Sequence, residues 1–118
     1  MYLIKAEAEI RASQLDNAKN TLKTLRDARF GMDTDLPSFS DMSSGLDFLL
    51  DERRMELAYE GHRWLDLKRF GTGLHRDDLD CGALDNACDM TSSDRRFTMP
   101  IPLAEMNAND LMEQNPDY

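Results

Sequence analysis

The sequence predicts an all-α protein with a helical hairpin over residues 1–30, a long helix over 43–70 broken near Gly61, and an irregular segment over 71–118. Three observations carry that expectation. Apolar residues recur at three-and-four spacing before residue 30 and again from Leu46 onward, the period of a helix with one buried face. Gly31, Gly61 and Gly71 stand where those stripes stop or break. Beyond Gly71 the composition turns to Gly, Asp, Asn and Ser, which belong to loops.

In the first helix Tyr2, Leu3, Ala6, Ile10 and Ala12 mark the apolar face. Ser13-Gln14-Leu15-Asp16 interrupts it, and Asp16 is placed to cap the next helix by accepting a bond from an exposed N–H. Leu15, Ala18, Leu22 and Leu25 then form the strongest stripe in the chain, ending at Gly31. Small residues at Ala6 and Ala18 among large leucines suggest a tetratricopeptide-like pair, with Ser13-Gln14 replacing the usual Gly-Asp of its turn. No second copy of the unit is visible, and a lone pair leaves faces for neighbours to cover. Residues 31–44 read as a loop, and the long helix is expected to start near Ser43 or Ser44 and carry Leu46, Leu49, Leu50 and Leu57. After Gly61 it continues through Trp64, Leu65 and Leu67. Met99-Pro100-Ile101-Pro102 is extended, because each proline drives the preceding residue out of helical geometry, and a short helical turn is expected over Leu103 to Asn107.

The 118 residues suffice for one domain. A formal net charge of −9 with only 14 cationic side chains leaves no basic footprint for nucleic acid or an anionic membrane. No apolar run approaches the roughly 20 residues that span a bilayer. Met1 leads directly into amphipathic helix, without the basic and apolar regions of a signal peptide. Cys81 and Cys88 could close a small disulfide loop, although two unpaired thiols in a surface loop is the expected state; with His62 and His75 they match no zinc spacing.

The run from Glu52 to Arg69 is the most unusual stretch. Glu52, Glu56 and Glu60 are four apart and stack on one helical face, where like charges repel by a few tenths of a kcal/mol per pair. Such a row needs cations, and Arg53, Arg63 and Arg69 are the nearest in sequence; these six are the candidates for a structural ion-pair network. The acidic row also admits a carboxylate-dependent glycosidase, but carboxylates on one face of one helix point the same way, whereas a glycosidase pair flanks the scissile bond. A di-metal carboxylate site lacks its Glu-x-x-His.

Here the sequence resembles the SusD/RagB family. The family's form E-R-R-x-E-L-A-x-E-G-H-R-W-x-D-L-K-R is matched from Glu52 to Arg69, Y-L-I-K-A-E-A from Tyr2 to Ala8, R-F-x-x-P-I-P-x-x-E from Arg96 to Glu105, and Q-N-P-x-Y from Gln114 to Tyr118. The departures are Leu103 in place of a frequent glutamine, Asn109-Asp110 in place of Asn-Pro, and residues 72–94, which match no pattern. The resemblance implies the C-terminal helical region of a longer, surface-exposed lipoprotein of the cell outer membrane, whose lipid anchor this chain lacks. It implies an oligosaccharide or other nutrient as ligand, a TonB-dependent outer-membrane porin as partner, no cofactor and no catalysis. The matched motifs look like scaffold, so they carry over no ligand-binding residue.

Residue by residue, the structural expectation is the stronger one. Trp64, Tyr59 and Phe70 are expected to pack rather than to offer a sugar platform, and His62 to be a hydrogen-bonded structural histidine. Asp77, Asp78, Asp80 and Asp85 fail the calcium-loop template, because Gly82 falls one place early, and read as a solvated acidic loop. No nucleophile triad and no glycine-rich phosphate loop is present. The rival to a nutrient-binding scaffold is a small tetratricopeptide-like protein-interaction module with a peptide in the hairpin groove.

Overall fold

The chain winds three helices together through residues chosen for small size at the crossings. In the computed structural model, which describes residues 1–81 and 88–116 but not the side chains of Asp78 and Asp80, α1 spans Tyr2–Arg11, α2 Leu15–Phe30, α3 Met42–Glu56 and α4 His62–Phe70. There follow β1 (Leu74–His75), α5 (Asp78–Cys81), β2 (Asp89–Met90), a 3-10 turn over Arg95–Phe97, and α6 (Leu103–Ala108). The protein is mainly helical, with β1 and β2 forming a two-stranded antiparallel sheet. The all-α expectation therefore holds. No helix among the described residues is long and apolar enough to cross a membrane. The chain divides into two compact units, Met1–Arg63 and Trp64–Tyr118.

In the first unit, α1 packs on both α2 and α3. Leu3, Ala6 and Ile10 of α1, Ala18 and Leu22 of α2, and Leu49 and Leu50 of α3 are buried. Ala6 and Ala18 have no exposed surface, as the small positions of a tetratricopeptide-like crossing require. Gly45 does the same for α3: a Cβ there would lie 3.2 Å from the Ile10 Cγ2 and 3.2 Å from the Phe39 ring. Tyr2 and Ala12, assigned to the apolar face, are exposed, because the buried arc is narrower than the stripe.

Two boundaries differ from the sequence reading. Asp16 does not cap α2; the N-cap is Gln14, and Asp16 lies in the first turn, 3.6 Å from Lys19, where its charge still suits the helix dipole. The turn before it is made by Ser13 at φ 59°. The third helix starts at Met42, because Asp41 and Ser44 form a reciprocal capping box: the Ser44 N–H donates to Asp41 Oδ1 at 2.9 Å, and the Asp41 N–H donates to Ser44 Oγ at 3.3 Å. Asp27 anchors the intervening loop by accepting from the Thr34 N–H and hydroxyl, both at 2.7 Å, and Lys23 with Thr34 pulls its pKa down to about 2. Gly31 ends α2 in the left-handed conformation, as expected.

The break near Gly61 occupies residues 57–61 and turns at two positive-φ residues, Tyr59 (65°) and Gly61 (78°). In the second unit Cys81 and Cys88 are joined in a disulfide, Cα to Cα 5.3 Å, which corrects the expectation of two unpaired thiols. The extended Met99–Pro102 segment and the helix after it fall where the prolines require.

The crossing at Gly45 is testable. Gly45→Val would drive a branched side chain into Ile10 and Phe39, and is expected to lower stability by about 1–3 kcal/mol. Urea denaturation measures this; an unchanged midpoint would show that the helices can separate there without loss.

Candidate functional site

The run from Glu52 to Arg69 is distributed over α3, the break and α4. Its first two carboxylates face α2 across a cleft of about 270 Å³, lined by Leu25, Arg26, Arg29, Phe30, Glu52, Met55 and Glu56. Glu56 receives a forked contact from Arg29: Nε lies 2.9 Å from each carboxylate oxygen, and the terminal guanidinium nitrogen also reaches Oε1. Those bonds hold the Glu56 carboxyl below its ordinary range and raise the Arg29 guanidinium. Glu52 is more enclosed. Arg26 Nε stands 3.8 Å away, too far for a hydrogen bond, and its guanidinium lies 5.8 Å from the Phe48 ring centroid. Burial therefore dominates, and pushes the Glu52 carboxyl up, with Arg26 opposing.

Arg26 and Arg29 of α2 thus stand beside Glu52 and Glu56. Glu60 sits in the break, 4.0 Å from His62. Arg53 is buried in α3, and Arg63 is half-buried at the start of α4. Arg69 pairs within its own helix with the buried Asp66 at 3.2 Å, and lies 4.6 Å over the Phe70 ring. The missed arginines had a signal: Arg26 and Arg29 are three apart and one turn beyond Leu22, beside the strongest apolar stripe.

The cleft holds two carboxylates with oppositely shifted pKa values, the arrangement that acid–base pairs require. Its geometry points elsewhere. Both groups project from one wall, and both oxygens of Glu56 are engaged by Arg29.

In the second unit two further motif islands meet. Phe97 is buried and stacks on Trp64, with ring centroids 4.7 Å apart and planes 11° from parallel. Asp94 receives both Nε and a terminal nitrogen of Arg96, at 2.8 and 2.7 Å, which hold its carboxyl far below the ordinary range. Pro100 and Pro102 have no N–H, so Ile101 carries the one donor between them. Gln114 brackets that residue: its Oε1 accepts the Ile101 N–H at 2.8 Å and its Nε2 donates to the Ile101 carbonyl at 3.0 Å. Asn115 donates to the Met99 carbonyl at 2.7 Å. Asp85, Asp117 and Tyr118 lie outside the described residues, as do the side chains of Asp78 and Asp80. Among the described residues no three His, Cys, Asp or Glu side chains are grouped to hold a metal ion.

These contacts define a helical scaffold in which Glu56, Asp66, Asp94, Trp64 and Phe97 engage neighbouring side chains. The family model described as the SusD family matches residues 1–118, and the chain belongs to that family. A curated relative, SusD-like protein P38 of Formosa agariphila, is 39% identical over 75 residues; the match covers 58% of this chain and 15% of that protein. No solved structure matches the chain.

Two predictions follow from the paired groups. Glu56, with a pKa below its ordinary 4.5, stabilises the fold above that pH and loses the contribution as pH falls through its lower folded value. Glu56→Gln is therefore expected to cost about 0.5–1 kcal/mol at neutral pH, and less on acidification. Glu52, whose pKa is raised, has the reverse sign, so Glu52→Gln should be neutral or stabilising at neutral pH. Urea titrations at several pH values check both, and equal losses for the two variants would refute the assignment. Separately, Gln114→Ala should cost about 1–2 kcal/mol and speed exchange of the Ile101 amide, whereas Gln114→Glu keeps the acceptor and most of the protection. Amide exchange by NMR distinguishes them.

Proposed function

We propose that this chain is the C-terminal scaffold of an outer-membrane lipoprotein that binds an oligosaccharide or other nutrient and delivers it to a TonB-dependent transporter. The observation that carries the reading is the family match across residues 1–118. The site geometry supports it: Glu56, Asp66 and Asp94 are engaged by arginines, and Trp64 stacks on Phe97, which suits these groups to a scaffold. Capture and delivery require no covalent step. The engaged Glu56 and the common wall of Glu52 and Glu56 favour binding over glycoside hydrolysis.

One observation favours a second reading as a peptide-binding module. An open polar groove of about 380 Å³ runs between α1 and α2, with Tyr2, Lys5 and Glu9 on one side and Asn17, Asn20 and Thr24 on the other.

Calorimetric titration of the complete gene product with a panel of oligosaccharides, combined with membrane fractionation, separates the readings. The expected result is outer-membrane recovery and saturable binding to at least one glycan or nutrient, with no turnover of it. Recovery away from the membrane with no such binding would overturn the proposal, and hydrolysis abolished by Glu52→Gln in a folded protein would replace it with the enzymatic reading.

A further inference from the structure

Among the described residues, the hairpin of the second unit has a short ladder and one covalent bond beside it. Its strands are two residues long, paired as Leu74 with Met90 and His75 with Asp89, and extended by the Arg76 N–H donating to the Cys88 carbonyl at 2.8 Å. Two-stranded ladders are marginal in water even at greater length. The side chains across this one, His75 and Asp89, are paired but exposed, and exposed pairs add little. The far end demands close approach: a Cβ on Gly73 would lie 2.4 Å from the Met90 carbonyl oxygen, so the two backbones must stay in register.

Cys81 and Cys88 supply what the ladder lacks. Cys81 ends α5, is buried, and has its sulfur 3.2 Å from the Asp77 carbonyl oxygen. Cys88 immediately precedes β2, and its own carbonyl takes the last ladder bond. The bond between them therefore ties the end of α5 to the start of β2.

We propose that the Cys81–Cys88 disulfide is the staple on which the β1–β2 hairpin depends, so that this part of the protein forms in an oxidising compartment and opens on reduction. In the forming step the two thiols lose two protons and two electrons, an Sγ–Sγ bond is made, and a disulfide oxidant of the thiol-exchange class is reduced to two thiols. Disulfides persist outside the reducing cytosol, so the bond is a marker of export that does not rest on the proposed ligand or on the transporter.

The test uses the whole 118-residue chain, refolded with glutathione disulfide. The expected result is that neither cysteine alkylates with iodoacetamide until a phosphine reductant is added. Reducing the folded protein, or making the double variant Cys81→Ser/Cys88→Ser, then speeds exchange of the Arg76 amide on the order of fifty-fold, as the lost closure of so short a ring implies. Amides of α1 to α3 serve as the internal gauge of folding. Reduction in place covers the case in which the double variant does not fold, and acceleration confined to the hairpin or spread through the second unit upholds the staple. Two alkylatable thiols in the refolded, unreduced chain would overturn the proposal, as would an Arg76 amide that exchanges equally fast with and without the bond.

Discussion

The close approach of α1 to its two neighbours sets what the rest of the first unit can do. Helix axes come near one another only where the facing side chains are small, and Ala6, Ala18 and Gly45 provide those places. With the crossings fixed, the larger residues Ile10, Leu22 and Leu49 fill the space around them. The same approach brings the last turn of α2 alongside the last turns of α3, and so puts Arg26 and Arg29 against Glu52 and Glu56. The charged cleft is thus a by-product of apolar packing. The stacked carboxylates, which repel within their own helix, become tolerable because the packing has already placed cations opposite them.

A different constraint shapes the second unit. Two prolines in alternate positions leave Met99–Pro102 unable to join a helix or a regular ladder, yet Ile101 still has an N–H and a carbonyl to satisfy. A glutamine side chain carries one acceptor and one donor at the spacing of a backbone amide, which is why Gln114 can stand in for a missing strand. Gln114-Asn115 and Met99–Pro102 thus each supply what the other lacks. Phe97 extends the link to Trp64.

Legibility in the sequence followed the range of the interaction. The stops at Gly31 and Gly71 are local and periodic, and they lie where the spacing put them, whereas α3 ends at Glu56, ahead of Gly61. Asp41 was missed as a cap because a short polar stretch offers several capping residues, and only the reciprocal bond with Ser44 selects one. Arg26 and Arg29 carried only a spacing signal as partners of Glu52 and Glu56, because proximity along the chain is a poor guide to proximity across a helix crossing. The disulfide was undecidable for a similar reason: seven positions of separation permit a bond, but whether the thiols meet depends on how β2 registers with β1.

The break between α3 and α4 has a practical consequence. Tyr59 is fully exposed on backbone that leaves the helix, four residues before the first unit ends at Arg63. A protease that cleaves after aromatic residues meets there a side chain it can seat without unfolding anything. Brief digestion under native conditions is thus expected to cut first after Tyr59, close to the border of the two compact units.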